Sequence, residues 1–447
     1  MPVLLEKDFR SNERFFHFCE QLVESDPILG GAEFRMNMEL VKGLVFVCLF
    51  LIGLCAIEHH FRFSRLPYIS WVVLFGVGYG IVNQTVFSHL PDLELTPDII
   101  LYLFLPVLIF DASRKLDLHL LGREAVPASL LASLGILVSM WAMAVPIRWL
   151  TGLPWVDILF FTAIMSATDP VAVSAVFKQF PIPEKLKTLI EGESLLNDGT
   201  TVILFMLMSG KVLEGKELLF QKGISIFVLS VAGAVLLGTC AGWGGAWLMR
   251  RWRALKDHFI GPLLPLLIVY LTFCLAQAAL EISGVIAVMA ATLVFRIAFQ
   301  RFKKEEVPSQ SEMEFYRGFW EFLGELANAV LFFMLGVEIG AHYYDINWLV
   351  MPGVVAALLV SRSVVVYGFS ALFRLVGIRL PASWQHILNL GGLKGALSVA
   401  LILMIPKEYA YRHLFLCAAL AMCLFTLIGN TLAMRVYLKK ASLGESA

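Results

Sequence analysis

Charge is what this sequence has least of. Asp, Glu, Lys and Arg make up 16% of its 447 residues, where a soluble domain carries about 25%. Apolar residues fill the difference at 59%, with a mean hydropathy of +0.78, and that excludes a soluble globular chain. An excess of one sign is also missing, because 35 basic residues balance 35 acidic ones; no nucleic-acid partner is expected. The seven cysteines are scattered and none stands in a CxxC pair. They are read as small apolar packing residues rather than as a disulfide framework or a metal site. The nine histidines form no HExxH spacing, and no GxSxG is present, so the commonest metallohydrolase and serine-hydrolase chemistries have no residues to run on. A basic n-region followed by a short apolar core is lacking at the N-terminus, so no cleaved signal peptide is expected.

What is there is membrane filling. At about 20 apolar residues per crossing, the chain reads as an all-α polytopic membrane protein of thirteen spans. They lie near 41–57, 67–86, 97–112, 125–148, 156–177, 189–209, 223–249, 260–280, 283–300, 319–341, 348–373, 383–405 and 412–434. Residues 1–40 form an amphipathic segment ("RSNERFFHFCEQLVESD") expected to lie on the membrane or on a partner. Basic residues concentrate in alternate loops, for example Arg114, Lys115 and Arg123, then Arg250, Arg251, Arg253 and Lys256. The positive-inside rule puts those loops and the C-terminus in the cytoplasm. An odd span count then leaves the N-terminus outside.

Two spans carry helix breakers. The fifth reads "FFTAIMSATDPVAVSAVF", with Pro170 directly after Asp169; the twelfth reads "HILNLGGLKGALSVALIL", with Gly391, Gly392 and Gly395 around Lys394. Proline removes a backbone donor and disfavours helix at the residue before it. Seven spans separate the two, and the same offset carries the third span ("LFLPVLIFDAS") onto the tenth ("AVLFFMLGVEIG"). An odd offset reverses orientation, so spans one to six and eight to thirteen read as inverted repeats joined by the seventh. Interrupted segments at matching positions of two halves point to the midplane site of a secondary transporter. If the breaks cross, like half-helix ends face each other; Asp169 then balances the positive pair and Lys394 the negative pair.

The polar residues of the sixth span, "IEGESLLNDGTTVILFMLM", belong beside those breaks. A carboxylate at the bilayer centre costs about 2.5–3.5 kcal/mol or more, so each acid needs a use. On a helix, residues four apart share a face: Ser194 and Asp198 point one way, Glu193 and Asn197 about 100° round. Asp198 with Ser194 offers hard oxygen donors suited to a small cation. Glu193 needs a partner, and Arg362 is the one arginine well inside an apolar span; the two are expected to pair, with Asn197 placed to bridge them. Asp111 closes the third span. It either faces the same cavity across a domain interface or is an ordinary interfacial acid beside Arg114 and Lys115. Glu338, its repeat-mate, reads as structural.

"SATDPVAVSAVF", "EGESLLNDGTTVILF", "LFFMLGVEIG" and "NLGGLKGALSVAL" closely resemble motifs of the monovalent cation:proton antiporter-1 family, which holds the NhaP proteins and the eukaryotic sodium/hydrogen exchangers. The match runs in order over residues 97–405. The resemblance implies an NhaA-like fold of two inverted six-helix repeats with crossed broken helices, and a homodimer. It implies a dimerisation domain (41–115 and 260–341), an ion-transporting core (124–209 and 348–438) and a linker helix (223–250). It implies exchange of Na⁺ or Li⁺ for H⁺ in a cell membrane, with no cofactor. By motif position Asp198 carries ion and proton, Ser194 and the backbone around Thr168 add ligands, and Asp111 stands where a further ligand occurs. Asn197 completes an Asn-Asp pair, and Glu193 with Arg362 resembles the family's buried salt bridge. Two departures stand out: "LPVLIFD" lacks a second proline, and Lys394 sits where animal exchangers commonly have arginine.

The mechanism read from these residues is competition, with proton and cation excluding each other at Asp198 and the bare carboxylate too costly to carry across. Asn197 cannot titrate, so one Na⁺ is expected to exchange for one H⁺. K⁺/H⁺ exchange on the same fold stays open, because ligand type alone does not set cation size. A channel needs a continuous polar pore, whereas the polar residues here gather at one depth.

Overall fold

The structure is a computed structural model that describes residues 48–60, 67–85, 96–115, 118–169, 173, 176–177, 180, 182–213, 215, 220–252, 259–302, 310–341, 350–375, 377 and 379–444. The amphipathic segment 1–40 and Pro170 lie outside the described residues. Among the described residues every regular element is helical. Six helices are long and apolar enough to cross a membrane, and three shorter apolar helices accompany them.

The first apolar helix, α1 (Cys48–His60), belongs to a unit of its own. The second unit runs from His60, and the first helix wholly within it is α2 (Tyr68–Thr85). Pro97–Ile99 then leads through a π turn, Ile100–Phe104, into α3 (Leu105–Lys115). Next come α4 (Leu118–Thr151), α5 (Trp155–Ile164), α6 (Glu184–Val212) and α7 (Phe220–Arg251). After α8 (Ile260–Cys274), which ends in a π turn at Leu275–Ala279, follow α9 (Gly284–Phe302), α10 (Gln310–Ala341) and α11 (Met351–Leu375). Two half-helices, α12 (Ala382–Leu390) and α13 (Ala396–Leu403), replace a single twelfth span. The chain closes with α14 (Arg412–Leu424), a π turn at Phe425–Asn430, and α15 (Thr431–Gly444).

Several helices outrun their apolar spans. α4 begins at Leu118 rather than near residue 125, and α6 at Glu184 rather than near 189. Hydropathy falls at the first charged residues, such as Arg123 and Lys187, but backbone hydrogen bonding does not stop there. Pro146 sits inside α4 without ending it, as neighbouring helices permit in a membrane.

Small residues set the closest crossings. Gly76 and Gly80 of α2 face Gly336 and Gly340 of α10, each pair four residues apart. A Cβ on Gly76 would strike the Phe333 carbonyl, and one on Gly340 the Val77 carbonyl. Lipid supplies no hydrophobic force between helices, so close backbone approach and the dispersion it brings hold such pairs together. Gly238 and Gly242 of α7 meet Ala287, Ala290 and Ala291 of α9 in the same way. α4 packs along both α6 and α11.

Gly76→Val is expected to destabilise the detergent-solubilised protein by about 1–3 kcal/mol, as overpacking does. Gly78→Val is the control, since a Cβ there meets open space. Thermal melts followed by tryptophan fluorescence check this; equal Tm values for the two variants would contradict the crossing.

Candidate functional site

Both helix interruptions exist, and they touch. α5 stops at Ile164, and residues 165–169 run on without helical structure; α12 stops at Leu390, and α13 restarts at Ala396. The Asp169 amide donates to the Leu393 carbonyl at 2.9 Å. The Lys394 ammonium donates to the Ala167 carbonyl at 2.9 Å, and the Ser398 hydroxyl to the Ile164 carbonyl at 3.1 Å. Each break therefore supplies donors for carbonyls that the other has freed. A Cβ on Gly395 would collide with the Asp169 side chain, so that carboxylate lies against the N-terminal end of α13, the positive end. Lys394 reaches the carbonyl end of α5.

Helix α6 presses its polar residues onto the α5 break. The Asn197 amide donates to the Ser166 carbonyl at 3.3 Å and to the Thr168 hydroxyl at 3.2 Å; the Thr168 and Ser194 hydroxyls are 3.1 Å apart. Asn197 thus braces the unwound chain instead of bridging Glu193 to Arg362, its amide answering a carbonyl that the break has freed. Glu193 needs no bridge. Arg362 grips it through both terminal nitrogens, with Nη2 3.0 Å from Oε2, and Nη2 also donates to the Leu388 carbonyl at 3.0 Å in the last turn of α12. Only a residue without a side chain fits beside that guanidinium, since a Cβ on Gly392 would come within 2.7 Å of Nε. Next door, the hydroxyls of Ser361 and Ser139 join α11 to α4 at 2.8 Å.

Asp198 stands apart. It is half-buried and, among the described residues, makes no hydrogen bond or ion pair. It lines a cavity of about 50 Å³ together with Ala167, Thr168, Asp169, Asp111 and Asn328; about 10–15 Å³ of such space accommodates one water. Asp111 is on that wall and is also the interfacial acid of the other reading. Its Oδ1 accepts from Arg114 Nη2 at 2.6 Å and its Oδ2 from Lys115 Nζ at 2.5 Å. Ser194 reaches the cavity through Thr168. Glu338 is ion-paired with Arg412, as a structural acid should be.

Three contributors were not read from the sequence. Ser398 serves the Ile164 carbonyl, Thr426 accepts from the Lys394 amide at 3.1 Å, and Asn328 lines the cavity. Each is a polar side chain in an apolar span. That signal is shared by many hydroxyls that only bond back to their own helix, such as Ser370 to Val366.

The family profile described as sodium/hydrogen exchanger, transmembrane, matches residues 46–440. The chain belongs to the sodium/hydrogen exchanger family. A Na⁺/H⁺ antiporter of Bacillus atrophaeus, NhaG, is 30% identical over 412 residues, covering 90% of this chain and 75% of the relative. The Na⁺/H⁺ antiporter ApNhaP of Aphanothece halophytica is 29% identical over 420 residues, covering 94% and 77%. Among solved structures, the sodium proton antiporter MjNhaP1 of Methanocaldococcus jannaschii superposes with a TM-score of 0.71 at 17% identity, over 90% of this chain and 99% of that one. The family is one of multi-pass membrane transporters and not of enzymes.

Arg362→Ala is expected to lower stability more than Asp198→Asn, by about 3–5 kcal/mol, because it strands a buried carboxylate. Adding Glu193→Gln to Arg362→Ala restores part of the loss in a thermal melt. A double variant no more stable than the single one would show that the two side chains do not stabilise each other.

Proposed function

We propose that this exchanger trades Na⁺ (or Li⁺) for H⁺ by competition at Asp198 under alternating access. Membership of the sodium/hydrogen exchanger family carries the exchange itself. The observation that carries the site is Asp198, an acid without ion-pair or hydrogen-bond partner among the described residues, on the wall of a cavity against two interrupted helices. Glu193 is already neutralised by Arg362, and Asp111 by Arg114 and Lys115. Asp169 lies against the start of α13, and Asp198 is the group left to take either a proton or a cation. Thr168 and Ser194 assist as oxygen donors, with Asn197 holding the Thr168 stretch in place. Asp111 joins in ligation only when Arg114 and Lys115 release it.

Each charge-compensated form of the site reorients; the bare carboxylate does not, because carrying it through the barrier is too costly. The moving part is the core (124–209 and 348–438), and the fixed part is the interface domain (41–115 and 260–341), with 223–250 as linker. The cavity wall supports this division, since Asp111 and Asn328 come from one part and Thr168, Asp169 and Asp198 from the other. Thirteen spans in two inverted repeats are supported by packing under the seven-span offset: α2 lies on α10, and its counterpart α9 lies on α3, the counterpart of α10. The functional unit is a homodimer in the cell membrane, with the N-terminus outside and the C-terminus in the cytoplasm. Asparagine at 197 leaves one exchangeable charge beside the ion, so the cycle moves one Na⁺ for one H⁺.

Asp198→Asn abolishes Na⁺-driven proton flux in proteoliposomes while the protein remains folded; measurable flux in a well-inserted variant would sink the site assignment. Electroneutrality has its own test. The membrane potential is worth about 2.3 kcal/mol per charge per 100 mV, so an electrogenic cycle responds to it strongly. With equal Na⁺ on both sides, zero ΔpH and a K⁺/valinomycin potential, no proton uptake beyond that of empty liposomes is expected. Sustained uptake would refute one-for-one exchange. Repeating the ΔpH assay with K⁺ in place of Na⁺ tests the cation choice.

A further inference from the structure

The cavity lined by Asp198 also holds a polar side chain with no part in the exchange proposed for Asp198. Asn328 is 7% exposed, and among the described residues nothing hydrogen-bonds its amide. Its polar atoms are not among the sealed, unpartnered ones; they open onto the cavity, where a polar group takes its hydrogen bond or ligand from whatever enters. The uses of such a group are a water, an ion, or both in turn.

The position of Asn328 on α10 narrows the choice. One turn earlier is Gly324, where a Cβ would come within 2.7 Å of Asp111 Oδ2, so the missing side chain lets α10 lie directly against that acid. Residues spaced three or four apart continue the same face, and there Leu331 and Leu335 are fully buried. Asn328 is therefore the polar group at the boundary between the cavity and its apolar seal. The same cavity is lined by Asp198 and Thr168. An amide oxygen is a hard, neutral donor that suits Na⁺ or Li⁺ and adds no exchangeable proton.

We propose that the Asn328 amide oxygen ligates the transported cation from the α10 side of the cavity and helps to set which alkali ion is preferred. This rests on the assignment of Asp198 as the ion carrier. It adds a ligand on the part of the protein that stays fixed while the core moves. The contact forms when the cation arrives and is given up when the core departs, so it acts on binding from this side more than on turnover.

The test uses the full-length protein in proteoliposomes, with ΔpH dissipation titrated against Na⁺ and against Li⁺. Asn328→Leu keeps the approximate volume and removes the donor. Its apparent KM for Na⁺ is expected to rise about five- to tenfold, with Vmax falling less than KM rises, the pattern of lost binding rather than lost transition-state contact. The ratio of Li⁺ to Na⁺ affinity shifts as well. Thermal stability holds, because no hydrogen bond within the protein is lost with the amide. Asn328→Ser retains an oxygen and gives an intermediate KM; it serves as the readout if the leucine variant fails to fold. Wild-type KM and ion ratio in these variants, with Asp198→Asn inactive, would overturn the ligand role of Asn328 alone. Exchange in Asp198→Asn would overturn the carrier assignment on which it rests.

Discussion

Hydrocarbon offers no water to a freed backbone group, and that constraint organises this protein. Interrupting a helix inside the membrane exposes carbonyls and amides that cost several kcal/mol each if left alone. Here two interruptions are set against each other so that each serves the other: Asp169 and Leu393 join through the backbone, while Lys394 and Ser398 reach carbonyls at the end of α5 and just beyond it. Arg362 does the same for the last turn of α12, and Asn197 for Ser166. The site is a set of polar side chains answering backbone groups that the breaks released.

Charge follows the same logic. Glu193 is held by Arg362, Asp111 by Arg114 and Lys115, and Glu338 by Arg412. Buried pairs of this kind add little net stability, but removing one member is costly. With those acids occupied, the cavity keeps two more carboxylates, Asp169 against the start of α13 and Asp198. No resident cation neutralises Asp198 among the described residues, and on the exchange proposed above that leaves it able to swap its counter-charge. A transporter needs one such group and needs the others to be quiet.

Small residues make this arrangement reachable. Gly392 admits the Arg362 side chain, and Gly395 admits Asp169 against the start of α13. Away from the site, the crossing of α2 with α10 uses bare backbone on both helices to hold the cavity's outer wall in place. A methyl group at any of these points would separate elements whose hydrogen bonds depend on contact.

Much of this was legible in the residues themselves. Hydropathy gives the membrane class, Gly391 and Gly392 beside Lys394 mark a broken helix, and a buried glutamate with one arginine deep in a span predicts the Glu193–Arg362 pair, because desolvated charge admits few solutions. Helix limits were less legible: charge ends an apolar run without ending a helix, as at the starts of α4 and α6. Local sequence also could not give the role of Asn197, which depends on a carbonyl thirty-one residues earlier, or that of Asn328, which depends on facing a cavity built by other helices. Periodicity states which face of a helix a side chain occupies. What that face meets is decided only when the helices pack, and in a membrane it is decided by which freed backbone groups and charges still lack a partner.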